Sequence, residues 1–325
     1  MKKLSVALTT AAVGALVLLG AAPASAAGSQ IDPGDSLYAI NCDTTYFNWQ
    51  LLSVEPSTAV STTVGTGDGY TEEYFACAYQ PAYNFATGAS YYIQTQFSEG
   101  PQSYLASIDV ATGVSTEIGQ FFFIGAEELT FYPFVTAMAI GLDGAAYVLT
   151  EEEEDGTSLW SLDLATGELL PIGESLCCTW AFAADPTTGK FYGIDDENEV
   201  FEVDVTTGAF EPVAQAGVDP DENGDAVYSL QIDGSGRFWV MVETSIDVEE
   251  YDARLWSFTL DTASTPVYSG IFDDDPYYTQ ALLIIPGEPA LAATGSSVGV
   301  APIAAGALLL GGIVIVALRR RTARA

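Results

Sequence analysis

The chain has 325 residues, of which 44 are acidic, 9 are lysine or arginine and none is histidine, and its formal net charge at pH 7 is −35. This charge opposes nucleic-acid binding, which depends on basic side chains that neutralise phosphates, and the missing histidines exclude histidine-based catalytic triads and histidine metal ligands. Apolar residues supply 49% of the chain and aromatic residues 12%, which is enough apolar surface to form a packed core rather than a disordered chain.

The N-terminal region has the parts of a secretory signal peptide. A basic start is followed by an apolar run at 4–20 and by the small residues Ala24 and Ala26, an order typical of an export signal cleaved after Ala26. A retained membrane anchor is the alternative, but no basic stop-transfer cluster follows the apolar run. We therefore expect export, removal of residues 1–26, and a short lead at 27–35 before the folded domain.

Five stretches in the middle of the chain resemble one another. Each contains runs in which apolar residues alternate with polar ones, a pattern typical of half-buried β-strands. Three of them carry the turn sequence Asp-x-x-Thr-Gly, in which the aspartate caps the turn and the glycine supplies a positive φ. The stretches recur every ~40–55 residues, a period typical of propeller blades. They lie at 51–65, 104–119, 159–173, 200–214 and 255–270, with marker positions Glu55, Asp109, Asp163, Asp204 and Thr259.

The repeat predicts an all-β fold, a β-propeller of five four-stranded blades that spans residues 36–285. The pattern resembles that of bacterial quinoprotein-like and YVTN-type propellers, a resemblance that implies the fold and says little about function. The first unit lacks its first strand, while the segment 277–285 after the last unit has the pattern of one. We expect that C-terminal strand to complete the first blade, because closing the ring removes open sheet edges.

The links between the predicted strands divide into two groups, and propeller geometry puts each group on its own face of the ring. Links from first to second strands and from third to fourth strands are short, as in 142–145, 185–190 and 233–237, and their side is called the regular face. Links from second to third strands and between blades are longer and form the irregular face. These longer links lie at 66–73, 120–134, 151–158, 195–199, 215–226, 244–253 and 271–278.

The irregular face is acidic and aromatic. Its links contain more than half of the 44 acidic residues, and irregular loops on a rigid scaffold are where binding sites usually lie. We expect this face to bind a basic protein, a carbohydrate or a cation, and a solvated acidic surface that serves solubility is the alternative. Its aromatic residues are Phe121–Phe123, Tyr132, Tyr251, Tyr277 and Tyr278.

One link on the irregular face has the spacing of a calcium-binding loop, and the sequence indicates no other cofactor. Asp219, Asp221 and Asn223 alternate before a glycine, so that three oxygens can converge on one ion, and Asp225 adds a carboxylate. The link is not an EF-hand, which would need a glutamate where Leu230 stands. It resembles the Asp-x-Asp-x-Asp-Gly loops that hold calcium between strands in some propellers, and an ion-free acidic turn is the alternative.

Four cysteines in an exported chain can form disulfides. Cys42 and Cys77 lie in the first two units, and Cys177 and Cys178 are adjacent on the irregular face. Four cysteines allow three pairings, of which we favour Cys42–Cys77 with Cys177–Cys178.

An enzyme built from this sequence would have to use carboxylates, as five-bladed propeller glycosidases do at the centre of the ring. Glu72, Glu73 and Asp225 stand at the starts of inner strands, but they do not form an arrangement common to such enzymes. The sequence therefore favours a binding, adhesion or surface-display module. A carboxylate-based, glycosidase-like enzyme and a structural surface protein that acts through its charge are the alternatives.

The C-terminal region combines an apolar span with a basic end. Residues 298–318 carry no charge and are long enough to cross a hydrocarbon core of ~30 Å. Arg319, Arg320, Arg321 and Arg324 follow, which places that end in the cytoplasm. One interpretation is a single-pass membrane helix that stays in place.

The pentapeptide before the span supports another interpretation. Leu291, Ala292, Ala293, Thr294 and Gly295, followed by the apolar span and the basic tail, resemble the cell-wall sorting signal of Gram-positive surface proteins, whose familiar form is Leu-Pro-x-Thr-Gly. The alanine at the second position resembles the variant of many high-GC actinobacteria. The resemblance implies that a sortase cleaves between Thr294 and Gly295 and joins Thr294 to peptidoglycan. The sorting signal then comprises 291–325, after a short linker at 286–290.

Overall fold

A computed structural model describes the ring-forming part of the chain. The described residues are 30–43, 48–66, 76–96, 102–124, 134–152, 156–173, 179–195, 197–218, 226–247, 250–263, 265–272 and 279–287. No helix in those ranges is long and apolar enough to cross a membrane. The predicted signal peptide and the predicted sorting signal lie outside them.

The described strands form five sheets, which are the blades I to V. Blade I contains β1 (Ser36–Asp43), β2 (Asn48–Val54), β3 (Ser61–Thr66) and, from the other end of the domain, β21 (Thr279–Ile285). Blade II contains β4 (Ala76–Asn84), β5 (Ala89–Gln96), β6 (Gln102–Asp109) and β7 (Val114–Gln120). Blade III contains β8 (Phe122–Phe123), β9 (Phe134–Ile140), β10 (Ala146–Glu152), β11 (Gly156–Leu162) and β12 (Glu168–Gly173). Blade IV contains β13 (Thr179–Ala184), β14 (Phe191–Asp195), β15 (Glu199–Asp204) and β16 (Ala209–Gln215). Blade V contains β17 (Ala226–Ile232), β18 (Phe238–Asp247), β19 (Glu250–Phe258) and β20 (Val267–Ile271).

The blades close into a ring around their innermost strands. Each innermost strand contacts its two neighbours, in the order β21, β4, β9, β13, β17 and back to β21. One buried apolar cluster fills each interface between adjacent blades. The chain is thus an all-β, five-bladed propeller, and the predicted fold class is confirmed.

Blade I is assembled from both ends of the domain. Strand β21 pairs with β1 from Ser36 opposite Ile285 to Asn41 opposite Thr279. Leu282 and Leu283 are fully buried, because alternation places one face of β21 against each neighbouring interface. The predicted closure by the C-terminal strand is therefore confirmed.

Blade III departs from the predicted four strands. Strand β8 adds a fifth strand, which runs parallel to β12. The backbone amide of Phe122 donates to the Gly167 carbonyl at 3.0 Å, and the ring of Phe123 packs edge-on against Trp160 at 5.2 Å between centroids. An apolar anchor of this kind holds the first part of the predicted 120–134 link against the blade.

The repeated Asp-x-x-Thr-Gly sequence forms the expected turn between third and fourth strands. The carboxylates of Asp109, Asp163 and Asp204 accept hydrogen bonds from the backbone amide two residues later at 2.9, 2.8 and 2.8 Å. The closing glycines have φ values of 73°, 80° and 76°, which L-residues with a side chain rarely adopt. Hydrogen bonds from Thr206, then from Thr207, lower the pKa of Asp204 to about 2, so this cap stays ionised at neutral pH.

The same turns also join neighbouring blades, which the sequence did not indicate. A glycine near the end of an outermost strand lies against the turn of the next blade. A Cβ atom built on Gly65 would stand 2.2 Å from the Thr112 carbonyl oxygen, and one on Gly173 would stand 2.5 Å from the Thr207 carbonyl oxygen. The recurrent Ile-Gly or Val-Gly ending of the fourth strand therefore allows close contact between blades.

We predict that Gly65→Ala destabilises the ring by about 1–3 kcal/mol, the usual cost of forcing an extra methyl group into a packed contact. The matched control is Gly119→Ala, at the same place in β7, where the new Cβ would stand 3.5 Å from the Thr166 carbonyl oxygen, an ordinary contact. Urea titrations of the two variants and the parent measure the difference. Equal stabilities for the two variants would show that the interface relaxes around the added methyl group.

Candidate functional site

The innermost strands end together at one mouth of the ring, on the regular face. A depression of about 390 Å³ of empty space, open to solvent, lies there. Most of its walls are apolar, and Tyr83 and Phe85 add an edge-to-face aromatic pair with centroids 5.2 Å apart. The lining residues are Asp35, Ala82, Tyr83, Phe85, Met138, Ala139, Ile140, Phe182, Ala183, Ala184, Pro186, Gln231, Ile232, Gly234, Ile284 and Pro286. Sequence reasoning placed the binding site on the opposite face and missed this depression.

Both ends of the ring domain reach this mouth. Asp35, the last residue of the predicted lead, accepts a hydrogen bond from the backbone amide of Gly234 at 2.8 Å. Pro286 follows β21 directly and lines the same depression. The chain therefore enters and leaves the ring on the regular face.

Lys190 and Arg237 are the last residues of the short links 185–190 and 233–237 and so lie on the regular face. The ammonium group of Lys190 donates to a carboxylate oxygen of Glu202 at 2.7 Å, and this hydrogen bond raises the pKa of Lys190. The guanidinium of Arg237 donates to the Ser257 hydroxyl at 3.4 Å. Each of the two basic side chains therefore donates a hydrogen bond to a residue of its own blade.

Deeper in the channel, glutamine side chains bridge strands that are not neighbours. The side-chain amide of Gln80, on β4, donates to the Tyr228 carbonyl on β17, and the amide of Gln231 donates to the Pro81 carbonyl at 2.9 Å. Since β4 and β17 flank β21 on either side, these bonds link two innermost strands that are not adjacent in the ring.

Gln80 also has an unusual backbone and an unpaired oxygen. Its φ is 35°, which costs on the order of 1–3 kcal/mol for a residue other than glycine. The side chain is 1% exposed, and its Oε1 atom has no hydrogen-bond partner within the described part of the chain. Gln80 follows Tyr79, where the register of β4 shifts, and a bulge of this kind re-aims a side chain.

Every innermost strand carries such a bulge. Each has one extra residue relative to its partner strand, at Thr136 in β9, Trp180 in β13, Tyr228 in β17 and Gln280 in β21. The bulges recur near the end of each strand that faces the irregular side. They bend the inner wall of the channel on that side, as bulges at the rims of barrels do.

On the irregular face, two parts of the predicted loops differ from the prediction. Residues 244–247 and 250–253 continue the β18–β19 hairpin, with Thr244 opposite Asp252 and Asp247 opposite Glu250. Phe121 is buried between blades II and III, so it does not belong to an exposed aromatic surface, whereas Phe122 is 65% exposed. Burial of Phe121 follows from the pairing of β8 with β12.

The other predicted site residues of the irregular face lie outside the part of the chain that the structure describes. Tyr132, Tyr277, Tyr278, Glu72 and Glu73 lie outside the described residues, and so does the side chain of Tyr251. The same holds for the predicted calcium ligands Asp219, Asp221, Asn223 and Asp225. Within the described ranges, no three residues of the metal-binding types form a group that could hold an ion.

Cys42 is buried on β1. Cys77 lies on β4, a strand that contacts β1, although its side chain is outside the described residues. The pairing Cys42–Cys77 stays a prediction that this placement favours. Cys177 and Cys178 lie outside the described residues.

Comparison with known proteins finds solved structures that are similar to this chain at low sequence identity. No protein-family model matches the chain, and no curated protein matches it. A protein of unknown function from Bacteroides caccae is 11% identical, with a TM-score of 0.45, over 78% of this chain and 99% of that chain. The Bacteroides ovatus protein GH43B of the xyloglucan PUL is 13% identical, with a TM-score of 0.46, over 81% of this chain and 57% of that chain.

A third solved structure, the major allergen Mala s 1 of Malassezia sympodialis, is 12% identical, with a TM-score of 0.41, over 72% of this chain and 88% of that chain. Fold likeness at such identities does not transfer a ligand or an activity.

Proposed function

We propose that the chain is exported, joined to the cell wall through Thr294, and used there as a binding, adhesion or surface-display module. The observation that carries the proposal is the order of sequence elements after the ring. The propeller is complete at Ile285, and Leu291–Gly295, an uncharged apolar span and a basic tail follow without another domain between them.

The anchoring chemistry is an acyl transfer through a covalent enzyme intermediate. The sortase thiolate attacks the carbonyl carbon of Thr294 and forms a thioester, while the Thr294–Gly295 peptide bond breaks and the amine of Gly295 takes up a proton. An amine of the peptidoglycan precursor then attacks the thioester, which gives an amide and regenerates the thiol. Until that step, the apolar span 298–318 keeps the chain in the plasma membrane.

The ring supplies a rigid support for the links of the irregular face. Five buried clusters between blades and closure by β21 hold the strand ends in place, and loops held in this way are suited to binding. The excess of carboxylates there attracts cationic groups. The partner we propose is a basic protein or a carbohydrate, and the link 219–225 is the place where a calcium ion would be held.

We predict that Thr294→Ala abolishes attachment to the wall, because the sortase reads the threonine and forms its thioester there. Cells that produce the variant should retain the protein in the membrane fraction, whereas the parent chain should be released only when the peptidoglycan is digested. The measurement is an immunoblot of wall, membrane and medium fractions.

The matched control is Ala293→Ser, at the position that the Leu-Pro-x-Thr-Gly form leaves variable, which should stay wall-linked. If the Thr294→Ala chain still co-purifies with peptidoglycan fragments, attachment does not use this motif. If the parent chain is found in the membrane fraction, the apolar span is a permanent anchor.

A further inference from the structure

The position at which the chain leaves the ring restricts how a tethered propeller can be oriented. Pro286 lies at the mouth on the regular face, at the centre of the ring. Thr294 lies eight positions further along the chain, and an extended chain over eight such steps reaches at most about 28 Å.

A tether of this length cannot pass around the ring to the irregular face. The chain would first have to cross a blade from the innermost to the outermost strand, about 14 Å for three strand spacings of ~4.8 Å. It would then have to run along a strand of seven residues such as β21, which adds about 23 Å. The sum of about 37 Å exceeds the reach of the linker even when it is fully extended.

We propose, on the basis of the proposed function, that the wall-linked propeller holds its regular mouth toward the peptidoglycan and offers the irregular face to the medium. Asp35 at the same mouth places the start of the ring on the wall side too. The surface presented to large partners is the one at which Glu151 and Glu199 lie at the ends of their strands and Glu243 lies opposite Ala226, the first residue of β17. Such a surface fits a cationic macromolecule.

Two insertions of one epitope into the full-length chain test this orientation. The first epitope is inserted, without deletion of any residue, into the β10–β11 link at 153–155, on the irregular face. The second enters the exposed turn between Thr187 and Thr188, on the regular face. Antibody binding is measured on intact cells and again after digestion of the peptidoglycan, when the same molecules are in solution.

We expect the antibody to bind the first epitope equally on cells and after release, and to bind the second several-fold more after release. Equal binding of both epitopes on intact cells overturns the orientation, and so does a stronger signal from the regular-face epitope. Loss of both signals on cells overturns it as well, since the irregular face would then not be offered to the medium.

The release step distinguishes a failure of the proposed wall anchoring from a failure of the proposed orientation. A chain that leaves the cells without digestion of the peptidoglycan is not wall-linked, and this outcome overturns the anchoring and with it the orientation. A chain that needs digestion for release and exposes both epitopes overturns the orientation alone. Melting curves of the released variants confirm that both insertions leave the ring folded.

Discussion

A chain of residues 27–278, which lacks β21, is expected not to fold, whereas a chain of residues 27–290 is expected to fold. Burial of each of Leu282, Leu283 and Ile284 in the ring contributes about 1.5–3 kcal/mol, and about 5–9 kcal/mol together. This equals much of the 5–15 kcal/mol by which an ordinary domain is stable. Deletion also removes the strand partner of β1. Circular dichroism melts of the two chains measure the difference.

Addition of the missing strand as a separate peptide sharpens this test. A synthetic peptide of residues 277–287 should restore a cooperative melt to the 27–278 chain, because β21 is held by its side chains and backbone bonds rather than by its covalent link. The control peptide carries Leu282→Asp and Ile284→Asp, which place two charges at fully and almost fully buried positions, and it should restore nothing. A 27–278 chain that melts cooperatively within a few degrees of 27–290 would contradict the closure argument.

The fold could be predicted from the sequence because its determinants are local. The alternation of apolar residues sets the strands, and the Asp-x-x-Thr-Gly turn is made by an aspartate cap and a positive-φ glycine, as Asp109 and Gly113 show. The missing first strand and the surplus last strand together predicted closure by β21. None of these inferences required knowledge of which residues meet in space.

What the sequence could not predict depends on contacts between distant segments. The bulge that turns Gln80 into the channel arises where β4 meets β5 and faces β17, and a glutamine in an alternating run gives no sign of it. The close approach of Gly65 to Thr112 joins two blades whose turns look independent in sequence. Phe121 was assigned to an exposed loop because the pairing of β8 with a strand about 45 residues later has no local signal.

Asp233→Ala is expected to lower the stability of the ring by about 2–4 kcal/mol, because buried donors lose their acceptor. The carboxylate of Asp233 is 0% exposed. It accepts hydrogen bonds from the Ser235 amide at 2.9 Å, the Ser235 hydroxyl at 2.6 Å, the Arg237 amide at 3.0 Å and the Trp239 indole nitrogen at 2.9 Å. The indole of Trp239 is fully buried, so its N–H group cannot donate a replacement hydrogen bond to water.

In a domain of this size such a loss lowers the melting temperature by about 5–15 °C, which differential scanning calorimetry resolves. The matched control is Asp163→Ala, which removes an exposed cap that accepts one amide bond at 2.8 Å and should cost about 1 kcal/mol or less, because water can replace that bond. Asp233→Asn separates geometry from charge. It keeps the shape but turns one acceptor into a donor that faces other donors, so it too should destabilise the ring. If Asp233→Ala and Asp163→Ala have equal effects, the buried network around Trp239 adds nothing beyond the ordinary turn.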